Sequence, residues 1–298
     1  MRSIRQILAL VDDGPRSDAV LALAAHLAKR QGAGVTALHT VQTMASGAGG
    51  YLSPEAAGLA LEYAAKADDE RRQRAAARVA AAADRHGLAI PFAAAEADPV
   101  GAALEAARHS DLVLLAQHTP GDGQVPGFAA SVLVGAGTPL LFVPAVDVLP
   151  VEAGGAPRCG HRVLVAWAPT RETVRALRDA LPLLAAADAV ELVRMADAGD
   201  ETGPEPLDAV RAYLQRHGVE ATMRTIPRGS APVAGGLLGA GWTPDVPVAE
   251  ALLSHAADSG ADLIVMGGYG HTRLRELALG GVTRTMLQSM TVPVLMSH

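Results

Sequence analysis

An internal repeat limits what this chain can fold into more than any other feature. Ile7-Leu-Ala-Leu-Val11 resembles Val163-Leu-Val-Ala-Trp167, and Asp111-Leu-Val-Leu-Leu-Ala116 resembles Asp262-Leu-Ile-Val-Met-Gly267. Gly137-Thr-Pro-Leu-Leu-Phe-Val143 likewise resembles Met290-Thr-Val-Pro-Val-Leu-Met296. The pairs keep their order and lie roughly 150 residues apart, too far for a solenoid repeat and suited to a duplicated domain. The 298 residues therefore divide into two domains of ordinary size.

Each half alternates short apolar runs with longer amphipathic stretches. In the first half the expected strands are 7–11, 35–40, 90–95, 112–116 and 140–143. In the second they are 162–166, 190–195, 221–226, 263–266 and 292–296. Continuous apolar runs of this length suit strands buried on both faces of a parallel sheet. The intervening stretches read as helices. Val20, Leu21, Leu23, Ala24 and Leu27 form one stripe of a helix over 17–30. A long Ala-rich helix runs from Pro54 to His86 and stops at Gly87. Its charged run Asp68–Arg74 reads as a solvated face with local ion pairs. Pro99 opens a helix that ends near His109, and the second half supplies helices over 170–187, 206–217, 248–259 and 283–289.

The predicted fold class is α/β, with two tandem doubly wound parallel sheets of five strands each. The domains are expected at 1–145 and 162–298, joined by a Gly/Pro/Ala-rich linker over 146–161. An inserted loop is expected near 227–247. Ligands on such sheets bind beyond the carboxyl ends of the strands, where the strand order reverses. The loops after the first and fourth strands of each half are therefore the places to search.

The second half holds a motif at one of these places. Gly267-Gly-Tyr-Gly270 follows the fourth strand, and Gly280-Gly281 precedes a helix opening Val282-Thr283-Arg284. Glycines let a backbone approach a phosphate closely, and a helix N-terminus presents free N–H groups to an anion. Arg273, Arg275 and Arg284 add positive charge nearby.

The run Ala261-Asp-Leu-Ile-Val-Met-Gly-Gly-Tyr-Gly270, with Gly280-Gly-Val-Thr283 and Val292-Pro-Val-Leu295, resembles the universal stress protein family, and the tandem arrangement resembles its two-domain members. The resemblance spans nearly the whole chain and is weaker around 119–128 and 226–248. It implies a stress-response role, a Rossmann-like five-stranded sheet per domain, dimer-like pairing of domains and, in some members, ATP binding. ATP-binding members carry G-x2-G-x9-G-(S/T) and an Asp soon after the first strand.

Both halves depart from that pattern. In the second half Gly281 stands at the Ser/Thr position, and Ala168 stands where the Asp would contact the ribose. In the first half Asp12 and Asp13 keep the acid, but Gln117-His-Thr-Pro-Gly-Asp-Gly123 and Phe128-Ala-Ala-Ser131 lose the glycine pattern, so this domain reads as degenerate. The candidate binding residues are Gly267, Gly270, Gly280, Gly281, Val282 and Thr283 at the phosphates. Backbone near Ala166, Ala168 and Val193–Met195 would frame ribose and base. The implied cofactor is ATP, with Mg. The glycine loop also has a plain reading, as a place where the chain must turn tightly. Trp242 in the 227–247 insertion reads either as part of a lid or as a locally packed surface residue.

Other chemistry finds little footing. The ten His include no metal-ligand spacing, and no nucleophile elbow or P-loop is present, so no metal site or catalytic residue is assigned. His118 and His271 lie on corresponding loops and read as solvent-exposed. The net charge of −6 argues against nucleic-acid or anionic-membrane partners. A single Cys159 and the lack of a signal sequence place the chain in the cytoplasm. Three readings stay open. One is a stress-response sensor binding nucleotide in its C-terminal domain, another a scaffold or chaperone-like interaction protein, and the third a weak ATPase. The last strands of the two halves should pair within one chain, with homodimerisation of whole chains and a protein partner left open.

Overall fold

The computed structural model describes residues 3–40, 53–95, 98–118, 127–145, 151, 155–196, 207–227, 246–268 and 281–298. The first half runs β1 (Gln6–Val11), α1 (Arg16–Gln31), β2 (Gly34–His39), α2 (Pro54–His86), β3 (Phe92–Ala94), α3 (Pro99–Ala107), β4 (Leu112–Ala116), α4 (Phe128–Gly135) and β5 (Leu140–Val143). The second half repeats it as β6 (Arg162–Trp167), α5 (Arg171–Leu184), β7 (Ala189–Ala196), α6 (Leu207–Arg216), β8 (Ala221–Pro227), α7 (Val246–Ser259), β9 (Leu263–Gly267), α8 (Gly281–Ser289) and β10 (Val294–Ser297).

Strand order within each half is 3-2-1-4-5, and every pairing inside a half is parallel. The two halves join in a single ten-stranded sheet, because β5 and β10 pair antiparallel with Leu141 level with Leu295. Edge pairing of this kind satisfies backbone groups that either half alone would leave open. The central strands are apolar throughout because helices cover both faces of the sheet. Leu112–Ala116, Leu140–Val143 and Leu263–Met266 are buried at every position. Among the described residues no helix is long and apolar enough to cross a membrane.

The repeated Asp of the two fourth-strand motifs has a structural task. Asp111 accepts hydrogen bonds from the backbone N–H of Arg5 and Gln6 at 2.8 and 3.0 Å. Asp262 does the same for His161 and Arg162 at 2.9 and 3.1 Å, and also pairs with Arg158 at 3.0 Å. Each Asp thus pins the entrance of its half's first strand to its fourth.

The segment expected as linker is held firmly at its end. Arg30 of α1 donates to the Cys159 and Ala186 carbonyls, and Val151 pairs with Pro157 in an isolated bridge. Cys159 is fully buried among apolar neighbours, and that burial pushes its thiol well above its ordinary pKa.

Across the β5–β10 seam the halves contact each other differently. Gln117, just past β4, is buried. Its side-chain amide donates to the Leu287 carbonyl of α8 at 2.8 Å, and its side-chain carbonyl accepts from Ala145 N–H at 2.7 Å. The equivalent position past β9 is Gly268, where a Cβ would lie 2.8 Å from Leu133 Cδ2 of α4. A long amide crosses the seam on one side, and a leucine fills the space left by a glycine on the other.

Candidate functional site

In the second half the chain runs from β6 to β7 and β8 on one side, then returns to β9 and β10 on the other. The crevice at this reversal lies between the carboxyl ends of β6 and β9. Val165 is level with Val265, so Trp167 and Gly267 emerge together at that end. Ala166 is level with Val193 of β7. Ala166, Met195 and Val282 pack against one apolar cluster that includes Val193, Met266 and Met286. Ala166, Val193 and Val282 thus lie on one face of the sheet. Val193, expected to help frame the base, is fully buried, backbone included, and presents no surface to a ligand.

Helix α8 begins at Gly281, carries no acidic residue in its first turn and runs for nine residues. Gly281 and Val282 are half-exposed and Thr283 is buried. The first N–H groups of a helix lack partners within it, so this end is suited to an anion. The start of α5, on the opposite face of the sheet, has a side-chain cap. Thr170 caps it by accepting from Thr173 N–H at 3.2 Å. Gly270 and Gly280, like Arg273, Arg275, His271 and the 227–247 insertion apart from Pro227 and the backbone at 246–247, lie outside the described residues.

Gly267 has a reason of its own to be glycine. A Cβ there would sit 2.6 Å from Thr173 N, 2.8 Å from Thr173 Oγ1 and 2.9 Å from the Glu172 carbonyl carbon. The first turn of α5 occupies the space a side chain would need. Ala168 offers only a methyl group where a ribose-binding carboxylate would stand, and its carbonyl accepts from Thr170 N–H at 2.8 Å. Trp167 is buried with no acceptor for its indole N–H among the described residues.

The equivalent corner of the first half is tied up by its own side chains. Asp12 accepts from Gly14 N–H at 2.8 Å and from Ser17 Oγ at 2.7 Å. Asp13 pairs with Arg74 at 2.7 Å, and Arg78 of the same helix pairs with Asp18 at 2.7 Å. Arg16 donates to the Gln117 carbonyl at 3.1 Å. Phe128, the first residue of α4, is buried. His39, at the end of β2, is buried too, with Nδ1 3.1 Å from the Val11 carbonyl. Desolvation holds it below the usual imidazole pKa, against the opposing pull of that carbonyl, Asp13, Asp12 and Asp68.

A sequence-family model described as "Universal stress protein family" matches residues 3–144 and again residues 160–298. The chain belongs to the universal stress protein family. It is a tandem member, with two family domains in one polypeptide. Among curated relatives, universal stress protein Slr1230 of Synechocystis is 39% identical over 46 residues, covering 15% of this chain and 16% of that protein. Universal stress protein MJ0577 of Methanocaldococcus jannaschii is 41% identical over 46 residues, covering 15% of this chain and 28% of that protein. These alignments thus span well under a third of either relative. A crystal structure of a universal stress protein from Archaeoglobus fulgidus covers 97% of both chains with a TM-score of 0.65 at 18% identity, a likeness of fold.

Several residues that shape this universal stress protein's two corners gave little or no sequence signal. Thr170 could have been found as a helix cap, since Thr three residues before Thr173 opens an amphipathic run. Arg71 and Arg72 make the local pairs expected of a solvated face, with Asp68 and Asp69. Arg74, besides a local pair with Glu70 at 4.0 Å, and Arg78 reach across to α1 and the loop before it, and no local pattern separates them from their neighbours.

Proposed function

We propose that this universal stress protein is a cytoplasmic sensor that binds an adenine nucleotide in its C-terminal domain. The observation that carries the proposal is the start of α8. Gly281 and Val282 present a half-exposed helix start without acidic residues, at the carboxyl end of the sheet where the strand order reverses. Backbone N–H groups at Gly281, Val282 and Thr283 would hold the phosphates, with Gly270 and Gly280 from the loop before them. Ala166, Met195 and Val282 would give the base an apolar seat. Bound ATP would supply its triphosphate charge as the signal. Without a carboxylate at position 168, the ribose would be held more loosely than the family's Asp-bearing pattern implies. Among the described residues no three His, Cys, Asp or Glu side chains converge on a metal site, so Mg would travel with the phosphates. The first domain, with its corner occupied by Asp12, Ser17, Arg74 and Phe128, would serve as a structural partner.

Titration calorimetry with ATP and Mg, comparing the native chain with Gly281→Asp, tests this reading. An added carboxylate in the first turn favours the helix and repels phosphate. Saturable binding weakened about tenfold or more in a variant of undiminished thermal stability is the expected result. Absence of binding at millimolar ATP, or binding untouched by the substitution, would reject it. A second reading, a scaffold without small ligand, draws on Gly267 and Gly268, both of which protein packing already accounts for. A weak ATPase is third, since no general base is assigned near the site.

A further inference from the structure

Helix α5 carries Arg171, Arg175 and Arg178 on one face, one to each turn. Local spacing works against them. Arg171 opens the helix, where the positive end of the backbone dipole disfavours a cation. Arg175 lies four residues from Arg171 and three from Arg178, so each guanidinium in the stripe repels the next. The acids of this helix, Glu172 and Asp179, are both committed. Glu172 is buried and meets Arg171 at 3.2 Å. Asp179 accepts from Ser297 Oγ at 2.9 Å and stands 3.7 Å from Arg175. Arg175 is held further by the Gly137 carbonyl and, at 2.8 Å, by the backbone oxygen of His298. Arg178 has no hydrogen-bond or ion-pair partner among the described residues.

The three arginines line an open cleft of 710 Å³ between α5 and α6, a volume that suits a small ligand. Val174, Leu181 and Tyr213 give the cleft an apolar wall. Tyr213 is half-buried, and its ring is braced against His217 with centroids 4.7 Å apart. Besides the His217 imidazole, the lining sets three guanidinium charges against the one carboxylate of Asp179. The other charges of α6, on Asp208, Arg211 and Arg216, lie outside the lining, and Asp208 pairs with Arg211 at 3.1 Å. This local surplus of positive charge occurs on a chain of net charge −6. We propose that the cleft binds a small aromatic phosphate, with the phosphate on Arg171 and Arg178 and the ring against Tyr213. A guanidinium fork matches two phosphate oxygens at once, and a dianion balances the surplus. Arg175, anchored by its carbonyls, adds fixed charge. The aromatic ring would cover the apolar wall that inorganic phosphate leaves wet. The cleft is distinct from the start of α8, which lies on the opposite face of the sheet.

Titration calorimetry of the full chain with phenyl phosphate tests the proposal, with far-UV circular dichroism confirming the fold of each variant. The native chain should bind phenyl phosphate saturably, and inorganic phosphate about tenfold or more weakly. Arg178→Glu removes no contact within the protein and should weaken phenyl phosphate binding about tenfold or more. Gly281→Asp should leave that binding unchanged. Failure to saturate at millimolar phenyl phosphate overturns the proposal, and so does binding indifferent to Arg178→Glu. Inorganic phosphate bound as tightly as phenyl phosphate overturns the part given to Tyr213. Binding lost in Gly281→Asp and kept in Arg178→Glu moves the ligand to α8 and overturns the site.

Discussion

Replacing Gly267 by alanine separates packing from ligand binding as the reason for this glycine. The new Cβ would meet three atoms of α5 at 2.6, 2.8 and 2.9 Å, all closer than carbon normally approaches. Two of the three are backbone, so the strain cannot be relieved by turning one side chain. It must move the first turn of α5 or bend β9. Overpacking of this kind costs about 1–3 kcal/mol. Displacing Thr173 N–H also weakens the Thr170 cap, worth about 1 kcal/mol. The expected loss is therefore about 2–4 kcal/mol. With a urea slope of about 2–3 kcal/mol/M, the unfolding midpoint of the second domain should fall by roughly 1 M. Gly58→Ala serves as the control. It lies inside α2 with nothing within 4 Å of a new Cβ, and should stabilise by about 0.5–1 kcal/mol. Urea titrations followed by circular dichroism, with and without ATP, give the answer. A Gly267→Ala variant with an unmoved midpoint and lost ATP affinity would refute the packing argument and assign the glycine to phosphate.

Two further outcomes follow from the buried polar groups. Burial lowers the His39 pKa from 6.5, so the unfolded chain takes up a proton at a higher pH than the folded chain does. Its contribution to stability should be full above that value and fall as pH drops below it, by up to about 1.4 kcal/mol per pH unit. Urea midpoints at pH 7.5 and 5.5 should show a smaller acid loss in His39→Gln than in the native chain, and equal losses would contradict the assignment. Asp262→Ala leaves two backbone N–H groups and Arg158 without their acceptor, at about 2–4 kcal/mol in thermal or urea unfolding. Asp111→Ala, at an exposed site with two such bonds, should cost about 1 kcal/mol.

Much of the fold could be read from the residues because duplication displays each signal twice. The limits of α2 were plain from Pro54 and from Gly87, whose left-handed φ of 60° closes the helix. Its neighbour β3 was expected over 90–95 and forms only at Phe92–Ala94, since an edge strand gains ladder bonds on one side alone. The start of α8 comes two residues earlier than the Thr283 expected for it, because a glycine such as Gly281 carries no apolar period to mark a first turn. At the site, the sequence showed which residues could converge. It could not show that Gly267 faces α5, because a glycine that yields to a helix and one that yields to a phosphate look alike. Nor could it show that Arg74 reaches Asp13, a contact between residues 61 apart that depends on how α2 lies across α1.

The unlike contacts of Gln117 and Gly268 across the β5–β10 seam bear on how such a molecule can change over generations. Where two identical subunits meet about a two-fold axis, every substitution is written twice, so a change that helps one partner is imposed on the other. In this chain the two sides of the seam are separate positions of one gene product. A bulky Leu133 could be accommodated by a glycine on one side while the opposite corner took up a long amide. The same independence lets one half fill the corner beside its first strand with salt bridges and a phenylalanine while the other starts its last helix on a glycine. Fusion thus turns a symmetric pair into two members that can specialise separately while remaining bound to each other.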